Sequence, residues 1–376
     1  MPYYHGIKVT EINEGARAIT AVASSVIGLV AIAADADAEA FPLNEPVLIS
    51  DVSAAIGDAG SDGTLAKSLS AINDQCSPIV VAVRVAEGAD AAETDANIIG
   101  TTTAEGELTG LQALLGAESK LGVRPRILGV PGYDSLAVAA ELPVIAQKLR
   151  GFAYVSAVGD TVEQVTTYRG NFAAREMMLI WPEFTDFTGS AVARAMGLRA
   201  KIDSETGWHK TLSNVPVNGV TGISKAVPFD MIAGENAASL LNDGDVTTLI
   251  RAKGFRFWGN RTCSGEPLFA FETAARTAQI LQDTIAEGLI WAIDKPILPA
   301  LITDILETVN AAFRRMQAQG RIIGARAWFN PSANSAVDLA AGRITIDYEY
   351  TPVAPAENIN LNQRITDKFY AELLAA

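Results

Sequence analysis

From residue 26 onward, short apolar runs alternate with segments whose apolar positions recur every three or four residues. Residues 26–33, 78–85, 126–130, 153–158 and 177–181 read as strands buried on both faces. Residues 65–73, 108–120, 136–149, 162–168 and 191–202 carry helical periodicity between and after them. Strand and helix in alternation predict an α/β layer domain with a largely parallel sheet. Between residues 86 and 110, Glu87, Asp90, Glu93, Asp95, Glu105 and Glu107 predict an exposed excursion.

The pattern breaks into turns over residues 207–222, and a junction is expected between there and about residue 245. A third part opens with the β-branched run 246–257, then two long helices, 267–293 and 298–319, split by Asp294, Lys295 and Pro296. In the second, Leu298, Leu301, Ile302, Ile305, Val309, Phe313 and Met316 form one apolar stripe. Asp304, Glu307, Arg314 and Arg315 lie opposite, acids early and bases late, as the helix dipole favours on a solvated face.

Both ends read as strands without an obvious home. Ile344, Ile346, Tyr348 and Tyr350 alternate with Thr345, Asp347, Glu349 and Thr351; Pro352 and Pro355 then end any ladder, and a thin tail runs to Tyr370. Tyr4 to Glu11 alternates likewise before the turn-prone Asn13, Glu14 and Gly15. Such segments pair within their own sheet, the commoner fate, or with another chain.

At 376 residues and 49% hydrophobic content the chain has material for two or three packed domains. A net charge of −14, from 29 basic and 43 acidic side chains, opposes binding to a phosphate backbone, so no nucleic-acid partner is expected. The apolar run 21–34 is too short to span a bilayer as a helix and has no basic region before it, so no membrane insertion is expected. Cys76 and Cys263 lie far apart and read as free buried thiols in a chain made in a cytosol.

Chemistry is hard to find. His5 sits in the terminal segment, which leaves His209 as the one imidazole base, and no Gly-x-Ser-x-Gly elbow supplies a nucleophile. Gly57, Gly60 and Gly63 match neither phosphate-loop pattern, and no cluster has metal-ligand spacing, so no cofactor is implied. The loop from Gly129 to Asp134 follows a strand and precedes a helix, where ligands bind in α/β sheets. An α/β enzyme using that loop and His209 is therefore the rival to a structural protein.

Several segments resemble the tail sheath proteins of contractile-tailed bacteriophages, above all those of temperate phages of enteric bacteria, with R-type pyocin sheaths as relatives. They are residues 4–15, beginning Tyr-His-Gly-Ile-Lys-Val; 126–132, Arg-Ile-Leu-Gly-Val-Pro-Gly; and 207–214, Gly-Trp-His-Lys-Thr-Leu-Ser-Asn. Residues 254–263, Gly-Phe-Arg-Phe-Trp-Gly-Asn-Arg-Thr-Cys, and the ending 346–367 complete the match, which runs end to end and in order.

The resemblance implies a non-catalytic subunit of a virion tail. It would stack as hexameric rings around the tail tube, contract to drive that tube through a bacterial envelope, and meet baseplate and tail terminator proteins. The sheath of a phage-derived bacteriocin is a close variant, whereas a tail tube subunit is usually shorter and dominated by β structure. The implied organisation is an N-terminal arm and linker over 1–20, an outer α/β domain over 21–245, and an inner tube-proximal α+β domain over 246–351. The inner domain has two long helices and a small β-sheet completed by neighbours' arms; a C-terminal linker and arm occupy 352–376. In the N-terminal arm, Tyr4, Ile7, Val9 and Ile12 would contact neighbours, as would Ile359, Leu361, Ile365 and Tyr370 in the C-terminal arm. Ile344, Ile346, Tyr348 and Tyr350 would form the receiving strand, and Arg314 and Arg315 would face the tube.

Overall fold

The apolar runs assemble into one nine-stranded sheet in the computed structural model, which describes Ile19 and residues 21–370 other than residue 233. Its strands are β1 (Ile27–Ile32), β2 (Pro46–Ile49), β3 (Val80–Val85), β4 (Ile127–Gly129), β5 (Phe152–Ser156), β6 (Met177–Trp181), β7 (Pro216–Val217), β8 (Val246–Arg251) and β9 (Phe255–Trp258). The order is β2-β3-β1-β4-β5-β6-β8-β9-β7, with β3 through β8 parallel and β2, β9 and β7 antiparallel at the ends.

Burial on both faces explains why these runs are apolar throughout rather than alternating. Ile27, Leu29 and Ala31 of β1 face one core, and Val30 and Ile32 face the other. The longer helices are α1 (Leu65–Asn73), α2 (Ala91–Ile99), α3 (Leu136–Leu149), α4 (Val162–Arg169), α5 (Ser190–Glu205), α6 (Glu272–Gly288) and α7 (Pro299–Ala318). The first core takes α1 and α5, and the second takes α3 with Ile98 of α2 and Val165 of α4.

A third core lies between α6, α7 and a two-stranded antiparallel sheet, β10 (Ile322–Phe329) and β11 (Ile346–Pro352). The predicted stripe of α7 supplies Leu301, Ile305, Val309, Phe313 and Met316. α6 joins this unit to the large sheet and is buried on nearly every side from Glu272 to Leu281. Its buried charged residues are all paired. Arg276 makes a two-toothed pair with Asp203 at 3.0 and 2.5 Å, and Asp203 also meets Arg199 at 2.7 Å. Glu272 accepts from Arg199 at 3.4 Å and from the Tyr154 hydroxyl, and Asp283 pairs with Arg124, Arg126 and Arg150.

The structure departs from the sequence reading in five places. The run 246–257 is a hairpin, β8 and β9, inside the large sheet, so that sheet continues past the junction expected near residue 245. The excursion 86–110 contains α2, started by a reciprocal cap in which Asp90 accepts from Glu93 N and Glu93 accepts from Ala89 N. The helix read over 108–120 is three short turns of helix. β10, the partner of the strand at 344–350, was not read as a strand, although pairing within the chain was the commoner of the two fates considered. Cys76 is only partly buried, whereas Cys263 is fully so.

Candidate functional site

The β11 strand of the small sheet presents an open edge. In β10 the Ala327 N–H and C=O bond not to β11 but to the Asn310 side chain of α7, at 2.8 and 2.9 Å. Ala327 stands opposite Tyr348, so this is a non-hydrogen-bonded pair of the antiparallel ladder, and the Tyr348 backbone groups point away from β10. By the two-residue period Ile346 and Tyr350 do the same. Their side chains meanwhile pack on the third core, the Tyr348 ring 5.9 Å from that of Phe313. The four sequence-predicted residues Ile344, Ile346, Tyr348 and Tyr350 thus share one core-facing side, although Ile344 precedes the strand proper. On the opposite side Arg326 and Glu349 pair across the strands at 2.7 Å.

Beyond β11 the chain changes character. No regular strand or helix follows Pro352 until the last described residues, and residues 358–370 are exposed throughout. Ile359, Leu361, Ile365 and Tyr370 stand 72, 87, 99 and 70% exposed, a run of apolar surface that a solitary soluble chain rarely leaves uncovered.

The N-terminal candidates Tyr4, Ile7, Val9 and Ile12 lie outside the described residues. The link that follows them is held: Ile19 is buried against Gly288, where a side chain would collide with it. The Ile19 carbonyl accepts from Arg315 at 2.6 Å, and the Ser24 carbonyl accepts from Arg276 at 3.2 Å. Arg314 and Arg315 both lie on the exposed face of α7, but the Arg315 guanidinium is turned onto this link of its own chain.

The loop from Gly129 to Asp134 and His209 line different clefts and form no common site. At Gly132 and Gly189, both with positive φ, the loops after β4 and β6 meet backbone to backbone, too close for any Cβ. Ser156 ties the region together: its N–H donates to Asp134 and its hydroxyl to Glu183, whose other oxygen accepts from Ala191 N at the start of α5. Burial pushes Asp134 up to about 6, and burial with the nearby Asp134 charge pushes Glu183 up to about 7. Because the folded state holds these protons more tightly than the unfolded chain, their contribution to stability falls as pH rises from about 4 to about 7. Glu183→Gln keeps both hydrogen bonds in reach and should flatten that decline, measured as urea midpoints at pH 5 and pH 8. An unchanged slope would remove Glu183 as its source.

His209 sits in the Gly-Trp-His-Lys turn that Arg199 fixes by donating to the Gly207 and Lys210 carbonyls at 3.3 and 2.6 Å. Burial, with Arg321 and Arg199 nearby, holds its pKa below the ordinary value. Trp208 beside it is buried in the third core, so the turn is a packing device between the two units.

Three family models match the chain in succession. The Tail sheath protein Gp18 domain III N-terminal region matches residues 24–85, the Phage tail sheath protein central domain 106–263, and the Phage tail sheath C-terminal domain 264–366. The tail sheath protein of Escherichia phage P2 is 54% identical over 100% of this chain and 98% of its own length. This chain belongs to the phage tail sheath family. The major tail sheath protein of Serratia phage KSP20 is 47% identical over 100% and 98% of the two chains.

Among solved structures, the contracted sheath of an extracellular contractile injection system, PVC, superposes with a TM-score of 0.73 at 15% identity, covering 99% of each chain. A chain of the anti-feeding prophage baseplate gives 0.68 at 17%, covering 97% of this chain and 100% of that one. At that identity the likeness is one of fold. The sheath protein is therefore a structural component of a contractile virion tail and not an enzyme, and the reading built on His209 falls. Among the described residues no helix is long and apolar enough to cross a membrane.

The sequence reading missed Asn310, which caps the β10 edge at Ala327, and the ion pairs of α6. The spacing of Arg199 with Asp203 and of Glu272 with Arg276, four apart on their helices, was the available signal.

Proposed function

We propose that this sheath subunit joins its neighbours by strand addition, giving its C-terminal arm, residues 358–370 onward, to the open β11 edge of another copy. The observation that carries this is the pairing of an exposed apolar tail with an unfilled strand edge in the same chain. The N-terminal arm joins a neighbour in the same way. Repeated through the copies, these links build stacked hexameric rings, with the β10–β11 unit and α7 inward against the tail tube and the nine-stranded sheet outward. Baseplate and terminator proteins close the two ends, and contraction drives the tube through the envelope.

Backbone bonds worth about 0.5–1.5 kcal/mol each, made cooperatively, keep neighbours tied while weaker polar contacts between outer faces exchange. Putting charges on the buried side of the arm should break the link without touching the fold. Ile359→Asp with Leu361→Asp is expected to give a folded monomer that fails to form tubes under negative-stain electron microscopy. Normal tubes from that variant would refute strand donation by this arm.

A further inference from the structure

The C-terminal arm does not begin where the strand ends. Between Pro352 and the exposed tail, the segment 353–357 lies back across the large-sheet unit and is tied down at both of its ends. The Thr273 hydroxyl donates to the Val353 carbonyl at 3.2 Å. The Arg261 guanidinium forks onto Glu357, Nε to Oε1 at 3.0 Å and Nη2 to Oε2 at 2.5 Å. Arg261 is itself well held, its guanidinium 4.8 Å from the Phe271 ring centroid and its backbone bridged to Phe271. Both partners of the ion pair are 34% exposed, so water is partly excluded from it. From residue 356 onward every described residue is exposed, so Glu357 is the last one with an ion pair to the body of the subunit.

We propose that Arg261 is a positioning residue for assembly: with Glu357 it clamps the root of the C-terminal arm and sets the point and direction from which the arm leaves its own subunit. This rests on the arm-exchange reading above and goes beyond it, since strand donation alone requires no fixed root. A planar guanidinium gripping a carboxylate with two parallel bonds fixes direction as well as position, which a lysine in its place would not do. The conformational freedom of residues 353–357 is then lost when the subunit folds rather than when the lattice forms, and the arm meets its receiving edge at a raised effective concentration.

The test uses the full chain. Arg261→Glu sets two carboxylates against each other and should raise the concentration needed for tube formation by about tenfold. Combining it with Glu357→Arg should bring that concentration back to within about threefold of the parent. Hydrogen exchange on the monomers reads the clamp without assembly: within 353–357 the Glu357 amide, which donates to the Pro355 carbonyl at 2.9 Å, should exchange faster in Arg261→Glu, with the rest of the chain unchanged, and recover in the double variant. Unchanged exchange at Glu357, or parental assembly by Arg261→Glu, would overturn the clamp. A truncation lacking residues 358–376 that still builds tubes would overturn arm exchange itself, so the two failures are told apart.

Discussion

Removing residues 358–376 is expected to leave a folded monomer that builds no tubes at concentrations where the full chain does. The described part of that segment is exposed from end to end, so its loss uncovers no core, and the melting temperature should stay within about 1 °C of the parent. What is lost is the surface the arm buries elsewhere. Covering Ile359, Leu361, Ile365 and Tyr370 would each contribute about 1.5–3 kcal/mol, against about 1–2 kcal/mol per residue for ordering the strand. The balance for a single arm is therefore narrow and depends steeply on length. Thermal unfolding by circular dichroism and negative-stain microscopy of the same preparation decide the matter. Intact tubes from the truncated chain would show that the arm is dispensable.

The second large effect is on stability. The Asp203 side chain is fully buried between Arg199 and Arg276, and Asp203→Ala leaves two buried guanidiniums sharing the single, more distant carboxylate of Glu272, at 3.4 and 3.8 Å. Breaking a buried pair from one side costs about 3–5 kcal/mol, a large part of the roughly 5–15 kcal/mol that holds a protein folded. With an unfolding entropy near 2.1 cal/mol/K per residue, the melting point of a chain this long should fall by roughly 5 °C. The same substitution loosens α6 from α5, so assembly should weaken even where the chain remains folded. A calorimetric scan within 1 °C of the parent would mean that the site takes in water on losing the carboxylate.

The large sheet was legible because its strands are buried on both faces and therefore uniformly apolar, as at Met177–Trp181, and because several helices carry recognisable caps. Ser135 accepts from Val138 N at the start of α3, and the reading of that helix agrees with the structure at both ends. β10 was not legible: Gly324, Ala325, Arg326 and Ala327 break any clean alternation, and the strand begins straight after the turn that ends α7. β2 opens on a proline at a sheet edge and gives no periodic signal. α2 was hidden by its acidic sequence, although the Asp90 and Glu93 spacing that caps it could have revealed it.

At the site, the residues of β11 could be named from alternation, and the family resemblance supplied their role. Which β11 residues turn their backbone groups outward could not be read, because the phase of the ladder shows in Asn310 reaching Ala327 across 17 residues. Arg261 and Glu357 are 96 residues apart, a pairing that no local pattern encodes.

A clamp at residue 357 also fixes a length. The 19 residues beyond it, 358–376, reach at most about 65 Å when fully drawn out. In a lattice knitted from such arms, that span is a tether limit: two linked subunits can turn and slide past one another freely up to it and no farther. The arm root would then act as a mechanical stop, bounding how far the sheath stretches before its links, rather than its folded units, take the load.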